Sequence, residues 1–224
     1  MSEIGDIFDQ WAAEGRDADM ETRHMHTAGE ALAAMPIEDG DTVLDLGTGS
    51  GYAARVLAAR AAGVQVLALD AAAGMATAAT GADGVAPLVG RFERVPLADD
   101  SIDHCWSMEA FYYSSAPEQT LRELHRVLRP GGTFHCAVNF YEANTYSHHW
   151  PDRVGLPMVR WSAAEYRAAF RTAGFSVATQ RQIPDRIVEI PPAAAFPTDG
   201  FETRAQMHER YRELGTLLTV GVAR

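Results

Sequence analysis

Nine residues, VLDLGTGSG from Val43 to Gly51, constrain this chain more than any other stretch. A short apolar run closed by Gly47, Gly49 and Gly51 is the pattern of a buried strand turning directly into a helix. Glycine lets such a turn bend tightly and lets a ligand approach the backbone. The expected helix, Tyr52 to Ala62, aims its first N–H groups at the same point. A second apolar run, VQVLALD (Val64 to Asp70), ends on an acid 19 residues after Gly51. At the tip of a strand such a carboxylate can accept both hydroxyls of a ribose. An ordinary glycine turn with a solvated acid is the competing reading, and Asp45 together with Asp70 weighs against it.

Spacing narrows the ligand further. The dinucleotide fingerprint is G-x-G-x-x-G after an apolar strand. Here the glycines fall as G-x-G-x-G, and Asp45 stands two residues before Gly47. A carboxylate there repels a pyrophosphate and suits a cofactor end that carries an ammonium group. That points away from NAD and toward S-adenosylmethionine (SAM).

The rest of the chain alternates strand and helix. Ala71 to Thr80 can be a helix, Ala86 to Val89 a short strand and Ser101 to Met108 a fourth strand. Pro117 to Leu128 is a striped helix, with Ser115 and Glu118 spaced as a capping box and Pro130-Gly131-Gly132 as its stop. Thr133 to Phe140 is a fifth strand. Ser162 and Glu165 repeat the capping pattern on a helix ending near Gly174. Strands over Phe175 to Ile183 and Leu217 to Val222, with a helix from Glu202 to Leu214 between them, complete the pattern. Ahead of the glycine turn, two helices are expected, one carrying Ile4, Ile7, Phe8 and Trp11 and one over Thr22 to Met35. Repeated βα units give an α/β fold, a mostly parallel sheet with helices on both faces. Residues 1–36 read as an N-terminal helical cap and residues 37–224 as the ligand-binding domain, in one globular unit.

Composition bounds the partners. The 224 residues, 47% apolar and 22% charged, suffice for one well-filled core. Thirty acids face 19 bases, every base is Arg, and the formal charge is −11. Such a surface repels phosphate backbones and anionic lipid heads. The acid excess fits a halophilic source, ahead of codon bias, which explains Ala and Arg but not the acids. Two cysteines, Cys105 and Cys136, make no disulfide framework and no four-ligand zinc site, and read as buried thiols on neighbouring strands. With no apolar run near ~18 residues and no signal-peptide pattern at MSEIGDIFDQ, the expected location is cytoplasmic.

The segments VLDLGTGSG, LALD, GRFERVPLADDSIDHCWSMEAFYY and LRELHRVLRPGGTF stand in order between about Asp41 and Phe134. In them the chain resembles the class I SAM-dependent methyltransferases, in particular the type 11 group that includes ubiquinone/menaquinone C-methyltransferases. The resemblance implies a Rossmann-like seven-stranded sheet, with strand seven antiparallel between strands five and six. It implies that Asp45, Gly47, Thr48, Gly49 and Gly51 hold the methionine end of SAM and that Asp70 binds its ribose. Ala71 and Met75 would flank the adenine, Phe92 and Glu93 would line its pocket, and Ser107 would meet the amino end. Many relatives have an acid after the strand-three glycine. Here Gly90 is followed by Arg91, so the resemblance implies that backbone contacts at Arg91 or the Glu93 side chain would substitute in recognising the adenine amine.

Methyl transfer is an in-line displacement, so alignment and exclusion of water supply most of the rate. An acceptor that starts protonated also needs a base, and the chain has no Lys to serve. Glu109, Tyr112 and Tyr113, just past the fourth strand, are the candidates, with the tyrosines also able to wall the sulfonium charge. The loop Asn139 to Asp152 supplies Asn139, Tyr141, His148 and His149 for an acceptor pocket, and the N-terminal cap offers Arg16, Met20, His24 and His26. No metal is expected, because adjacent histidines point apart and no third ligand stands at motif spacing. The reading is an enzyme moving a methyl group from SAM to a small-molecule acceptor. The expected partners are that acceptor alone, with no nucleic acid and no membrane, the chain being a monomer or homodimer. A nucleotide-dependent oxidoreductase and a non-catalytic SAM-binding protein are the alternatives.

The salt reading of the composition carries its own test. The melting temperature should climb as KCl is raised from tens of millimolar to molar, because screening relieves repulsion among the acids. A melting temperature indifferent to salt leaves codon bias as the explanation.

Overall fold

Strand segments that are apolar on both faces must be covered on both faces, and this is how the chain packs. The computed structural model describes Gln10 and residues 16–224, the side chains of residues 16–24 excepted. Its strands are β1 (Thr42–Leu46), β2 (Gln65–Asp70), β3 (Val85–Val89), β4 (Ile102–Met108), β5 (Leu128–Val138), β6 (Ser176–Ile183) and β7 (Thr216–Val222). They form one seven-stranded sheet in the order β3-β2-β1-β4-β5-β7-β6, with β7 antiparallel to both neighbours. Strand order reverses between β1 and β4, the place where open α/β sheets bind ligands.

Alternate residues of each central strand feed two cores. Leu44, Cys105, Phe134 and Cys136 face one way, onto α4 (Pro117–Val127) and α6 (Ala163–Thr172) through Leu121, Leu124, Tyr166 and Phe170. Val43, Trp106, Ala137 and Leu218 face the other way. There they meet α1 (Arg16–Ala33) and α2 (Tyr52–Ala58), whose Ala28, Ala31, Leu32 and Leu57 are buried at helical spacing. Three short helices complete the set: α3 (Ala73–Ala78), α5 (Trp150–Val154) and α7 (Arg204–His208). The expected helix around Ile4 to Trp11 lies outside the described residues. Among the described residues, no helix is long and apolar enough to cross a membrane.

Three local expectations are corrected. The helix expected over Glu202 to Leu214 divides into α7, opened by a Thr203–Gln206 capping box, and a π-helical stretch over Glu209–Leu214. The Ser115–Glu118 capping box does not form: Ala116 is the N-cap of α4, Pro117 follows it, and the Ser115 hydroxyl donates instead to Glu93. The expected stop at Pro130-Gly131-Gly132 lies inside β5, which starts at Leu128. Around these residues the strand joins β7, with the Gly131 N–H on the Ala223 carbonyl and the Ala223 N–H on that of Gly132.

By contrast, Ser162 does cap α6: its hydroxyl accepts from the Glu165 N–H while the Glu165 carboxylate accepts from the Ser162 N–H. Ser162→Ala should therefore cost about 1 kcal/mol, read as a lower urea midpoint with an unchanged slope.

Candidate cofactor and acceptor site

The glycine turn is tied to the end of β2, with the N–H groups of Gly47 and Thr48 both donating to the Leu69 carbonyl at 2.8 and 3.1 Å. Gly47 has φ +76°, and a Cβ there would lie 2.3 Å from the Ala110 Cβ and 3.1 Å from the Phe92 ring. Gly51, also at φ +76°, is the N-cap of α2 and lies against Ala79, whose Cα is 2.4 Å from where a Cβ would sit. Over Gly49 the situation is reversed: a side chain would meet nothing within 4 Å. The turn is closed from below and open above, the shape of a cradle.

Two acids sit in this cradle. Asp70 accepts from the Gly49 N–H at 3.2 Å and from the Ala72 N–H at 3.0 Å, which fixes its carboxylate at the tip of β2. Asp45 is 2% exposed and accepts from the Thr48 hydroxyl at 2.7 Å. Burial lifts the Asp45 carboxyl to about 7, with the Thr48 hydrogen bond opposing and the charge of Asp70 adding to the rise. An acid held near neutrality by burial and a like charge is a ready counter-ion for a cation. The residues present therefore fit SAM, whose ammonium would sit over Asp45 and whose ribose would meet Asp70.

Other expected contacts are placed differently. Met75 is buried on α3, while Ala71 is half-buried beside Asp70. Ser107 is fully buried and donates its hydroxyl to the Leu46 carbonyl at 2.9 Å. Glu93 accepts from the Ser114 hydroxyl and from both the N–H and hydroxyl of Ser115. Burial works to raise its carboxyl, but these bonds outweigh it and the net shift is downward. Glu93 thus latches the segment after β4. Arg91 is exposed beside it, its Nε 3.5 Å from the Glu93 carboxylate.

Beyond β4 the candidate base is assembled. Glu109 has φ +54°, a left-handed conformation rarely adopted by a residue with a side chain. Its Oε1 accepts from the Asn139 N–H and its Oε2 from the Tyr112 hydroxyl at 3.3 Å. Burial raises this carboxyl to about 7, against the Asn139 N–H, the charge of Arg210 and the Tyr112 bond. The Tyr112 ring lies 4.7 Å from that of Tyr113 and 5.6 Å from that of Phe140, so the two tyrosines do form an aromatic wall. Asn139 is a hub: its carbonyl accepts from the Asn144 side chain at 2.6 Å and its Oδ1 from the Thr216 hydroxyl at 2.9 Å.

The remaining acceptor candidates do not converge. Tyr141 is buried, with its hydroxyl donated to the Leu214 carbonyl at 2.8 Å. His148 is hydrogen-bonded within its own loop, to the Glu142 carbonyl at 3.0 Å, and His149 is exposed. His26 lies on α1, with Nε2 buried and without a hydrogen-bond partner among the described residues. Arg16, Met20 and His24 belong to α1, but their side chains are outside the described residues. Among the described residues, no group of three or more His, Cys, Asp or Glu is placed to hold a metal ion.

Comparison with known proteins follows the same lines. A methyltransferase-domain family profile matches residues 44–136. A methyltransferase from Haloferax volcanii, solved in complex with the Trm112 methyltransferase activator, is 56% identical; the match covers 96% of this chain and 97% of that one, with a TM-score of 0.93. Curated relatives include the malonyl-[acyl-carrier protein] O-methyltransferase of Methylococcus capsulatus, 42% identical over 94 residues, 40% of this chain and 34% of that protein. The chain thus spans about a third of that relative's length. A SAM-dependent methyltransferase from Thermotoga maritima, 20% identical, covers 99% of this chain and 100% of its own at a TM-score of 0.71, a likeness of fold.

One expectation falls here. The expectation of a monomer or homodimer whose only partner is a small-molecule acceptor is corrected. The Haloferax volcanii relative is instead held by a second protein, the activator.

Asp45 gives the site a pH signature. Its carboxyl, raised to about 7 in the free protein, must ionise to meet an ammonium. The raised acid withdraws stability from the free protein as pH climbs from about 4 to 7, and a bound cation returns it. SAM affinity should therefore weaken about tenfold from pH 8 to pH 6, with proton release on binding seen by calorimetry in two buffers. Asp45→Asn should bind more weakly at pH 8 and show no such dependence.

Proposed function

Since the chain belongs to the SAM-dependent methyltransferases, with SAM as its cofactor, we propose that it is a catalytic subunit that works beside a Trm112-type activator on an acceptor deprotonated by Glu109. Family membership sets aside the oxidoreductase and non-catalytic alternatives. The observation that carries the partner is the near full-length, 56% identical relative solved with that activator.

SAM supplies a methyl group on a positively charged sulfur. The protein's own work is placement. Asp45 would hold the amino end through its charge, Asp70 would hold the ribose, and the Gly47 to Gly51 turn would keep side chains out of the cofactor's space. The acceptor enters where Glu109, Tyr112 and Tyr113 stand past β4. Glu109 would take the acceptor's proton on a carboxylate oxygen, and the faces of Tyr112 and Tyr113 would favour a positive charge beside them. The left-handed backbone at Glu109 supports this role, because such a conformation persists only where surrounding contacts enforce it. A carboxyl near 7 is also well matched to a base working at neutral pH.

Two measurements test this. Co-expression with the source organism's Trm112-type protein should give a stable complex that turns SAM over to S-adenosylhomocysteine with cell extract as acceptor source; no complex, and no gain in turnover, would sink the partner assignment. Turnover should rise with pH through about 7. Glu109→Gln should lower it about 100-fold and flatten that limb while leaving SAM affinity unchanged. A Glu109→Gln enzyme with wild-type turnover would remove Glu109 as the base.

A further inference from the structure

Among the described residues, Arg210 is the one arginine buried in the fold, at 9% exposure. Its position follows from the chain around it. The π-helical stretch Glu209–Leu214 ends at Gly215, whose N–H returns to the Arg210 carbonyl at 3.0 Å. On either side of Gly215 the segment is clamped to the exit of β5, through Tyr141 to the Leu214 carbonyl and through Thr216 to Asn139. Asn139 in turn carries the Glu109 carboxylate on its N–H. Arg210 therefore stands at the C-terminal edge of the sheet beside Glu109, and its charge reaches both Glu109 and Tyr141, opposing the effect of burial on each.

Yet its guanidinium is scarcely used. A guanidinium has five N–H donors. For Arg210 the bonding among the described residues is one long contact, 3.4 Å from Nη1 to the Gly215 carbonyl, and an approach of 5.2 Å to the neighbouring Tyr211 ring. No described carboxylate lies within ion-pair distance of it. Two residues along, Arg212 donates from both terminal nitrogens, to the carbonyls of Asp185 and Val188. Arg126, partly exposed, is saturated by Glu123, Asp99 and the carbonyls of Val95 and Leu97. Burying a cation without a paired anion costs several kcal/mol, and the planar fork of arginine matches a carboxylate or phosphate edge on.

We propose that Arg210 is the anchor for an oxyanion, a carboxylate or a phosphate, carried by the methyl acceptor. The inference rests on the methyltransferase reading above and adds the acceptor's chemical class to it. With its oxyanion on Arg210, the acceptor lies against Glu109 and the tyrosine wall, and the buried cation gains the partner it lacks. Arg210 lies outside residues 44–136, the segment that the family profile matches.

The test uses the protein saturated with S-adenosylhomocysteine, with its activator, at constant ionic strength. Malonate in one arm and inorganic phosphate in the other are titrated while arginine Nε–H signals are followed by NMR. At least one anion should saturate and shift the Arg210 signal, identified by its loss in Arg210→Gln. Affinity for that anion should fall at least tenfold in Arg210→Gln and by less in Arg210→Lys, which keeps the charge but loses the fork. The stronger arm identifies carboxylate or phosphate as the acceptor's group. SAM affinity should be unchanged in both variants; if Arg210→Gln loses it, Arg210→Lys carries the comparison. A wild-type protein that binds SAM but neither anion, or a variant that binds the anion as tightly as wild type, overturns the assignment while the methyltransferase reading stands. Failure of the wild type to bind SAM overturns both.

Discussion

Two carboxylates brought to one turn set the terms for the whole cofactor side. Asp45 and Asp70 end adjacent parallel strands, and the β1–β2 register that pairs Leu46 with Leu69 leaves no way to separate them. Each is buried, where an unpaired negative charge is expensive. The structure offsets part of that cost with fixed donors: Thr48 for Asp45, and the N–H groups of Gly49 and Ala72 for Asp70. Those donors exist only if the chain turns sharply after Leu46, which needs glycine at 47 and 51 because Ala110 and Ala79 occupy the space a side chain would fill. The remaining cost appears as the raised Asp45 carboxyl, and it is discharged by a ligand that brings a positive charge. Turn, glycines and acids are parts of one electrostatic arrangement.

The acceptor side depends on the other end of the sheet. Because β7 is inserted antiparallel between β5 and β6, its first residue, Thr216, arrives beside the C-terminal end of β5 and can donate to Asn139. Asn139 is thereby held so that its N–H faces Glu109, and Glu109 is held in turn at a positive φ. A parallel β7 would start at the opposite edge of the sheet, and neither Leu214 nor Arg210 could reach this site. Sheet topology, more than any local motif, brings Glu109, Asn139 and Arg210 together.

This division explains what could be read from the sequence. The glycine turn, the strand tips at Asp45 and Asp70 and the strand–helix alternation are local patterns, and short-range sterics and periodicity specify them. Glu109, Tyr112 and Asn139 were legible as chemistry-bearing residues at strand ends, though their hydrogen bonds were not. Misplaced residues share a physical reason: a polar side chain chooses among distant partners that spacing does not reveal. Ser115 has the spacing of a helix cap but finds Glu93, which the fold delivers from 22 residues away. Likewise the Tyr141 hydroxyl, read from its loop as an acceptor contact, donates to the Leu214 carbonyl 73 residues on. Arg210 is one of many arginines in a lysine-free chain, and no local pattern marks it. Only burial sets it apart.

The charge of the chain poses a different kind of problem. A formal charge of −11 is a property of one polypeptide, and repulsion of anionic partners follows for that polypeptide alone. The field an acceptor meets is summed over every chain at the mouth of the site and screened within about 8–10 Å at ordinary ionic strength, and far more closely in molar salt. A second protein docked nearby changes that sum, whereas buried groups such as Asp45 and Arg210 keep their local fields because little solvent screens them. Composition therefore constrains solubility and non-specific association, while recognition is set by a few buried charges that composition counts but cannot place. An acidic protein can present a cationic anchor to its acceptor, provided that the cation is buried where the surface charge is least felt.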